Sequence, residues 1–134
     1  MGAENSQVIR FIFSSGFSMK LRFSSSEVLW RSSDAIALQD KLLQQLQKDF
    51  IRANIDLDFP NQDAQGKHVI ALLHEKIYQL LMEHFDGYLN LMYAIDIPEA
   101  SLRNILPTDQ VEVAHATVHL VLERELQKVI YKSS

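Results

Sequence analysis

Cysteine is absent from the 134 residues. That excludes disulfides, thiolate metal sites and cysteine nucleophiles, and it fits a reducing compartment, so the cytoplasm is the expected location. Glycine occurs only 4 times, with no Gly-rich phosphate loop and no Gly-x-Ser-x-Gly elbow, which leaves no recognisable machinery for a hydrolase or a phosphotransferase. No apolar run reaches the roughly 18 residues that a membrane-spanning helix needs. Basic clusters are also missing, and a formal net charge of −4 opposes a nucleic-acid partner.

What is present is average globular material: 47% hydrophobic and 22% charged residues, enough to bury one core and too little chain for two ordinary domains. Residues 1–33 differ in character from the rest. Between Asn5 and Ser26 stand seven serines and three bases (Arg10, Lys20, Arg22) without one acid. This bias matches an organelle transit peptide in composition, but Arg10 interrupts the apolar run and no secretory core follows. A β-hairpin is preferred, with "QVIRFIF" and "MKLRFS" as strands around "SSGFS", because Met19, Leu21 and Phe23 alternate with Lys20 and Arg22. The N-terminal segment 1–33 is therefore set apart from a helical bundle over 34–134.

From Ser33 the apolar period becomes helical. Ser33 as N-cap with Asp34 behind it starts a helix in which Ile36, Leu42, Leu43, Leu46 and Phe50 share a face, ending near Asn54. The loop "IDLDFPNQDAQG" spaces Asp56, Asp58, Asn61 and Asp63 like a calcium loop, but Pro60, Asn61 and Lys67 stand where an oxygen ligand, glycine and glutamate belong. The stretch from Lys67 to Ile95 reads as the longest helix. Ile70, Leu73, Ile77, Leu80, Leu81, Tyr88, Leu91 and Ile95 line one side, and a second ridge runs along Ala71, Tyr78, Met82 and Leu89. Unbroken, it would span about 45 Å in a domain whose radius of gyration is about 14 Å, so it bends near Gly87 or reaches beyond its subunit. Asp96 and Pro98 open a short helix that Pro107 closes, and Thr108 with Asp109 starts the last one. The expected fold is mainly α: a bundle of three long helices and one short helix behind an N-terminal β-hairpin.

Chemistry is expected on the last two long helices. The stripe of Val111, Val118, Leu122, Leu126 and Val129 carries His115 near its centre, and His84 falls among the apolar residues of the longest helix. The pair Glu112 and His115 matches the Glu-x-x-His element of di-iron carboxylate bundles, though that site wants two such pairs and two further glutamates, and Asp40 and Asp49 lie off the apolar centre of their helix. His115 and His119 with Glu112 or Glu123 are candidate zinc ligands, His84 a further one; His84 and His115 with Met82 or Met92 are candidate haem ligands. The preferred account makes His84, His115 and Glu125 a structural polar network. A carboxylate at the stripe's border needs a partner, a histidine or an arginine such as Arg103. No cofactor is expected.

A second apolar line on the last helix, Val113, Leu120 and Tyr131, needs a second cover. A second copy of the chain is the expected one, the alternative being the short helix or the hairpin of the same subunit. The function expected from the sequence is non-enzymatic, acting through a homodimer and a protein partner; the alternative is a bundle binding a metal or small ligand through core-facing histidines.

Overall fold

The computed structural model describes residues 24–35, 38–58, 66–105 and 109–133. Within them the chain is helical, with no strand: α1 (Ser26–Ala35), α2 (Gln39–Arg52), α3 (Gly66–Glu83), α4 (Phe85–Ile95), α5 (Glu99–Arg103) and α6 (Gln110–Ser133). The expected count of three long helices and one short one is corrected by two features, an additional helix at the N-terminal side and a break in the longest one. The proposed hairpin lies outside the described residues, Ser24 excepted.

The additional helix, α1, crosses the expected boundary at residue 33. Ser25 starts it: its Oγ accepts the Val28 N–H at 3.1 Å, and Glu27 in the first turn complements the helix dipole. Leu29 and Trp30 from this helix are buried in the common core. Ser33, expected to start a helix, instead sits near the end of α1 with its hydroxyl donating to the Trp30 carbonyl at 2.6 Å.

The break falls at His84, which leaves helical geometry (φ −142°, ψ 69°) and divides the long segment into α3 and α4. Gly87 lies one turn further on. A Cβ there would stand 3.2 Å from Leu80 Cδ2, so the small residue lets the first turn of α4 close on the last turn of α3. Gly87→Val is expected to cost about 1–3 kcal/mol by overpacking against the buried Leu80, read from urea unfolding; an unchanged midpoint would mean that the contact is slack.

Two helices end with the same device. Asn54 and Asp96 adopt left-handed φ of 60° and 67°, and the next residues, Ile55 and Ile97, donate back to the carbonyls of Phe50 and Met92 at 2.9 and 3.0 Å. Both isoleucines are buried, the hydrophobic contact that accompanies such ends. Asp96 thus closes α4 and does not cap the short helix, which Pro98 precedes. Asp109 caps α6, its Oδ1 accepting the Glu112 N–H at 2.8 Å.

α6 is the central element and packs against α1, α2, α3 and α4. The core is continuous through Leu29, Leu42, Leu46, Phe50, Leu73, Ile77, Leu91, Ile95, Leu122 and Leu126. Tyr88 and Thr117, both buried, pin α4 to α6: Thr117 donates to the Val113 carbonyl at 2.8 Å and its oxygen lies 3.0 Å from the Tyr88 hydroxyl. Burial pushes the Tyr88 phenol upward, partly offset by that bond to Thr117.

Candidate functional site

The buried arc of α6 is turned from the stripe that its sequence suggests. It runs through Ala114, Thr117, Val118, Val121, Leu122, Glu125, Leu126, Val129 and Ile130. His115 therefore lies outside it and is exposed, and so is His84 at the α3–α4 break. Neither is the core histidine that the pattern implied, and the network of His84, His115 and Glu125 is not formed. The physical reason is that the buried face of α6 at this end is centred on Ala114, Thr117 and Val118, so His115, about 100° round from Ala114, falls at its margin.

His115 instead meets His74 of α3, the ring centroids 3.9 Å apart and the planes inclined by 38°. His74 Nε2 is also 3.4 Å from the Val111 carbonyl. These rings stand in an open cleft of about 760 Å³ between α3, α5 and α6, into which Glu112, His119, Ile70, Leu120 and the serines preceding and opening α1 also project. His119 is engaged along its own helix with Glu123, Nε2 to Oε2 3.4 Å. Three of the five residues considered as metal ligands, Glu112, His115 and His119, thus share one cleft, while His84 stands apart on the α3–α4 junction. Among the described residues no three histidine or acidic side chains converge as a metal ion needs.

The polar centre of the bundle lies elsewhere, between α2 and α6. Asp49 and Glu125 are both 0% exposed, and Lys128 reaches them with Nζ 2.8 Å from Asp49 Oδ2 and 3.4 Å from Glu125 Oε2. Gln45 donates to Asp49 Oδ2 at 3.1 Å, Lys132 donates to Gln45 at 2.7 Å, and the mostly exposed Arg52 stands 3.5 Å from Asp49 Oδ1. Neither Glu125 oxygen nor Asp49 Oδ1 has a hydrogen-bond partner while both carboxyls are ionised. A proton on Glu125 supplies the missing donor for Asp49, the interaction that raises one carboxyl and lowers the other. Burial pushes the Glu125 carboxyl up to about 9, reinforced by that hydrogen bond and by the Asp49 charge, against the pull of Lys128. Burial also works on Asp49, but the hydrogen bonds from Glu125, Lys128 and Gln45 and the Lys128 charge outweigh it and hold Asp49 below the usual carboxylate range. Glu125 thus has the partner that its position demanded, though the partner is neither a histidine nor Arg103, which is exposed.

No protein-family model, curated protein or solved structure matches the chain. No helix among the described residues is long and apolar enough to cross a membrane.

The expected second surface also differs in part. Val113 and Leu120 are half-buried, Leu120 packing against the core, and only Tyr131 of that line is exposed. Among the described residues, most of the exposed large apolar side chains lie on the other long segment, where Tyr78, Met82, Phe85, Leu89 and Tyr93 are between 36% and 83% exposed, while Ile51, Val111 and Tyr131 are exposed on α2 and α6. On α4 Phe85, Leu89 and Tyr93 recur every four residues, a line that flanks the buried Tyr88, Leu91, Met92 and Ile95, with the Phe85 ring stacked on Tyr88 at a centroid distance of 5.6 Å. Tyr78, Met82 and Leu89, with Ala71, are the second ridge that the sequence pattern marks, and all four are exposed among the described residues.

Proposed function

We propose that this protein acts by association and not by catalysis, pairing with itself and engaging a protein partner through the apolar face of α3 and α4. The observation that carries this reading is the exposure of Phe85, Leu89 and Tyr93 along α4, with Tyr78 and Met82 exposed on α3. Single exposed hydrophobics are ordinary, but several exposed aromatic and long aliphatic side chains on consecutive helices are the kind of group that marks an interaction site. Tyr93 is the most exposed of them, so its replacement leaves the core intact. Sedimentation equilibrium over a range of concentrations tests the reading. A reversible dimer is expected, and Tyr93→Lys should raise its dissociation constant by about tenfold or more, the equivalent of about 1.4 kcal/mol. A protein that stays monomeric at every concentration would refute the pairing.

A second reading, the binding of a small ligand, is favoured by the α3–α6 cleft alone. Its volume of about 760 Å³ falls in the range of ligand pockets, and it joins apolar walls with the imidazoles of His74 and His115. Native mass spectrometry of protein purified without chelators decides this point: an added mass lost in His115→Ala supports a ligand site, and bare protein removes it.

A further inference from the structure

We propose that the pocket between α2 and α6 is a phosphate site, in which the ammonium groups of Lys41, Lys48 and Lys132 hold the phosphate of a small monoester. The site is separate from the α3–α4 face and from the α3–α6 cleft, so the association reading stands or falls without it. The pocket has a volume of about 340 Å³ and is lined by Lys41, Gln44, Gln45, Lys48, Val129 and Lys132. Three cations and no carboxylate stand among these described lining residues, in a chain whose formal net charge is −4.

The helical period assembles the wall. Lys41, Gln44, Gln45 and Lys48 follow the i, i+3, i+4, i+7 spacing of one helix face, beside the buried Leu42, Leu46 and Asp49 of α2. Lys132 comes from the last turn of α6, and its Nζ donates to the Gln45 side-chain oxygen at 2.7 Å. Gln45 is 7% exposed and its amide nitrogen donates to Asp49, so the buried group that positions Lys132 brings no negative charge. Asp49 is itself satisfied by Lys128. Among the described residues neither Lys48 nor Lys132 forms an ion pair. Asp40, the acid next to Lys41, lies about 100° round the helix and does not line the pocket.

Gathering like charges costs free energy, whereas ordinary surfaces intersperse both signs. An anion in the pocket removes that cost. Lys41 points the same way: it is the third residue of α2, at the end of the helix dipole that disfavours a cation and favours an anion. Phosphate suits the set better than a carboxylate. It carries a charge of about −1.5 to −2 at neutral pH with three strong acceptor oxygens, one for each ammonium, and lysine binds it as a point charge without a planar fork. The volume lies at the small end of ligand pockets, about 300–1,000 Å³, which leaves room for the phosphate and a short organic stem against Gln44 and Val129.

Amide NMR spectra titrated with inorganic phosphate and with glycerol phosphate, each against sodium chloride at the same ionic strength, test the site. Saturable shifts are expected along α2 from Lys41 to Lys48 and in the last turn of α6, with phosphate and its ester and not with chloride. Lys48→Gln and Lys132→Gln should each weaken the affinity for inorganic phosphate by about tenfold, the worth of one hydrogen bond to a charged group. The exposed Arg103→Gln on α5 should leave it unchanged. Shifts that chloride reproduces are screening and overturn the site, as do shifts that never saturate or that persist undiminished in both lysine variants. Saturation by inorganic phosphate without any by the ester overturns the monoester as the ligand.

Discussion

Lys128→Met should lower the unfolding free energy by about 3–5 kcal/mol, the cost of leaving a buried charge without its counter-ion. The side chain that is lost contributes no large apolar surface, and methionine nearly replaces its stem, so packing is held roughly constant. What changes is the environment of Asp49, which is fully buried and takes its shortest bond, 2.8 Å, from Lys128. Arg52 is too exposed and, at 3.5 Å, too distant to substitute for it. The double variant Asp49→Asn, Lys128→Met removes the charge together with its counter-ion and should be more stable than Lys128→Met alone, because the two losses share one interaction and do not add. Urea unfolding of the parent, both single variants and the double variant gives the coupling. A loss under about 1 kcal/mol, the worth of an exposed ion pair, would mean that water reaches the cluster and that Asp49 is not committed to Lys128.

That cluster also shows where sequence reasoning stops. The 3.6-residue period located most of the core, including Leu42, Leu46, Phe50, Leu73, Ile77, Leu91, Ile95, Leu122 and Leu126, since burial of an amphipathic face is written into local spacing. It identified Glu125 as a carboxylate in need of a partner. It could not supply Asp49, because Lys128 and Asp49 meet across 79 positions and their pairing depends on how α2 lies on α6. By helical period Asp49 lies off the apolar centre of its helix, and only the packing of α2 on α6 buries it.

The misplaced histidines have a different origin. A periodic count centres the stripe on its apolar residues, whereas the buried face of α6 also takes in Ala114, Thr117, Val121 and Glu125, so Val111 and His115 fall at its margin. For the longest segment the conflict between about 45 Å of helix and a small domain correctly demanded a bend or an outward reach. Gly87 drew attention to the region, yet the backbone breaks at His84 and Gly87 serves the close approach that follows. α1 is hard to read from sequence because its serine-rich composition masks a short signal, Ser25 with Glu27 ahead of Leu29 and Trp30.

The same buried pair gives the protein an unusual dependence on pH. Below the ordinary carboxyl range Glu125 is protonated in both the native and the unfolded chain. Between that range and about 9 the native state keeps a proton that the unfolded chain has released. Stability contributed by Glu125 is therefore fully present in acid and declines as pH rises, by up to about 1.4 kcal/mol per pH unit for one proton. Asp49 acts in the opposite sense: its lowered carboxyl stabilises the fold above the ordinary range and loses that contribution as pH falls through its native value. The two together place the maximum in weakly acid solution. Glu125→Gln tests the assignment, since the amide keeps the shape and can still donate to Asp49 but cannot ionise. Its unfolding free energy should vary less with pH than that of the parent from about pH 5.5 to about 9, and the difference between the two curves should have the slope of one proton. Parallel curves would show that Glu125 is already ionised in the native state, with Lys128 shared equally between two carboxylates.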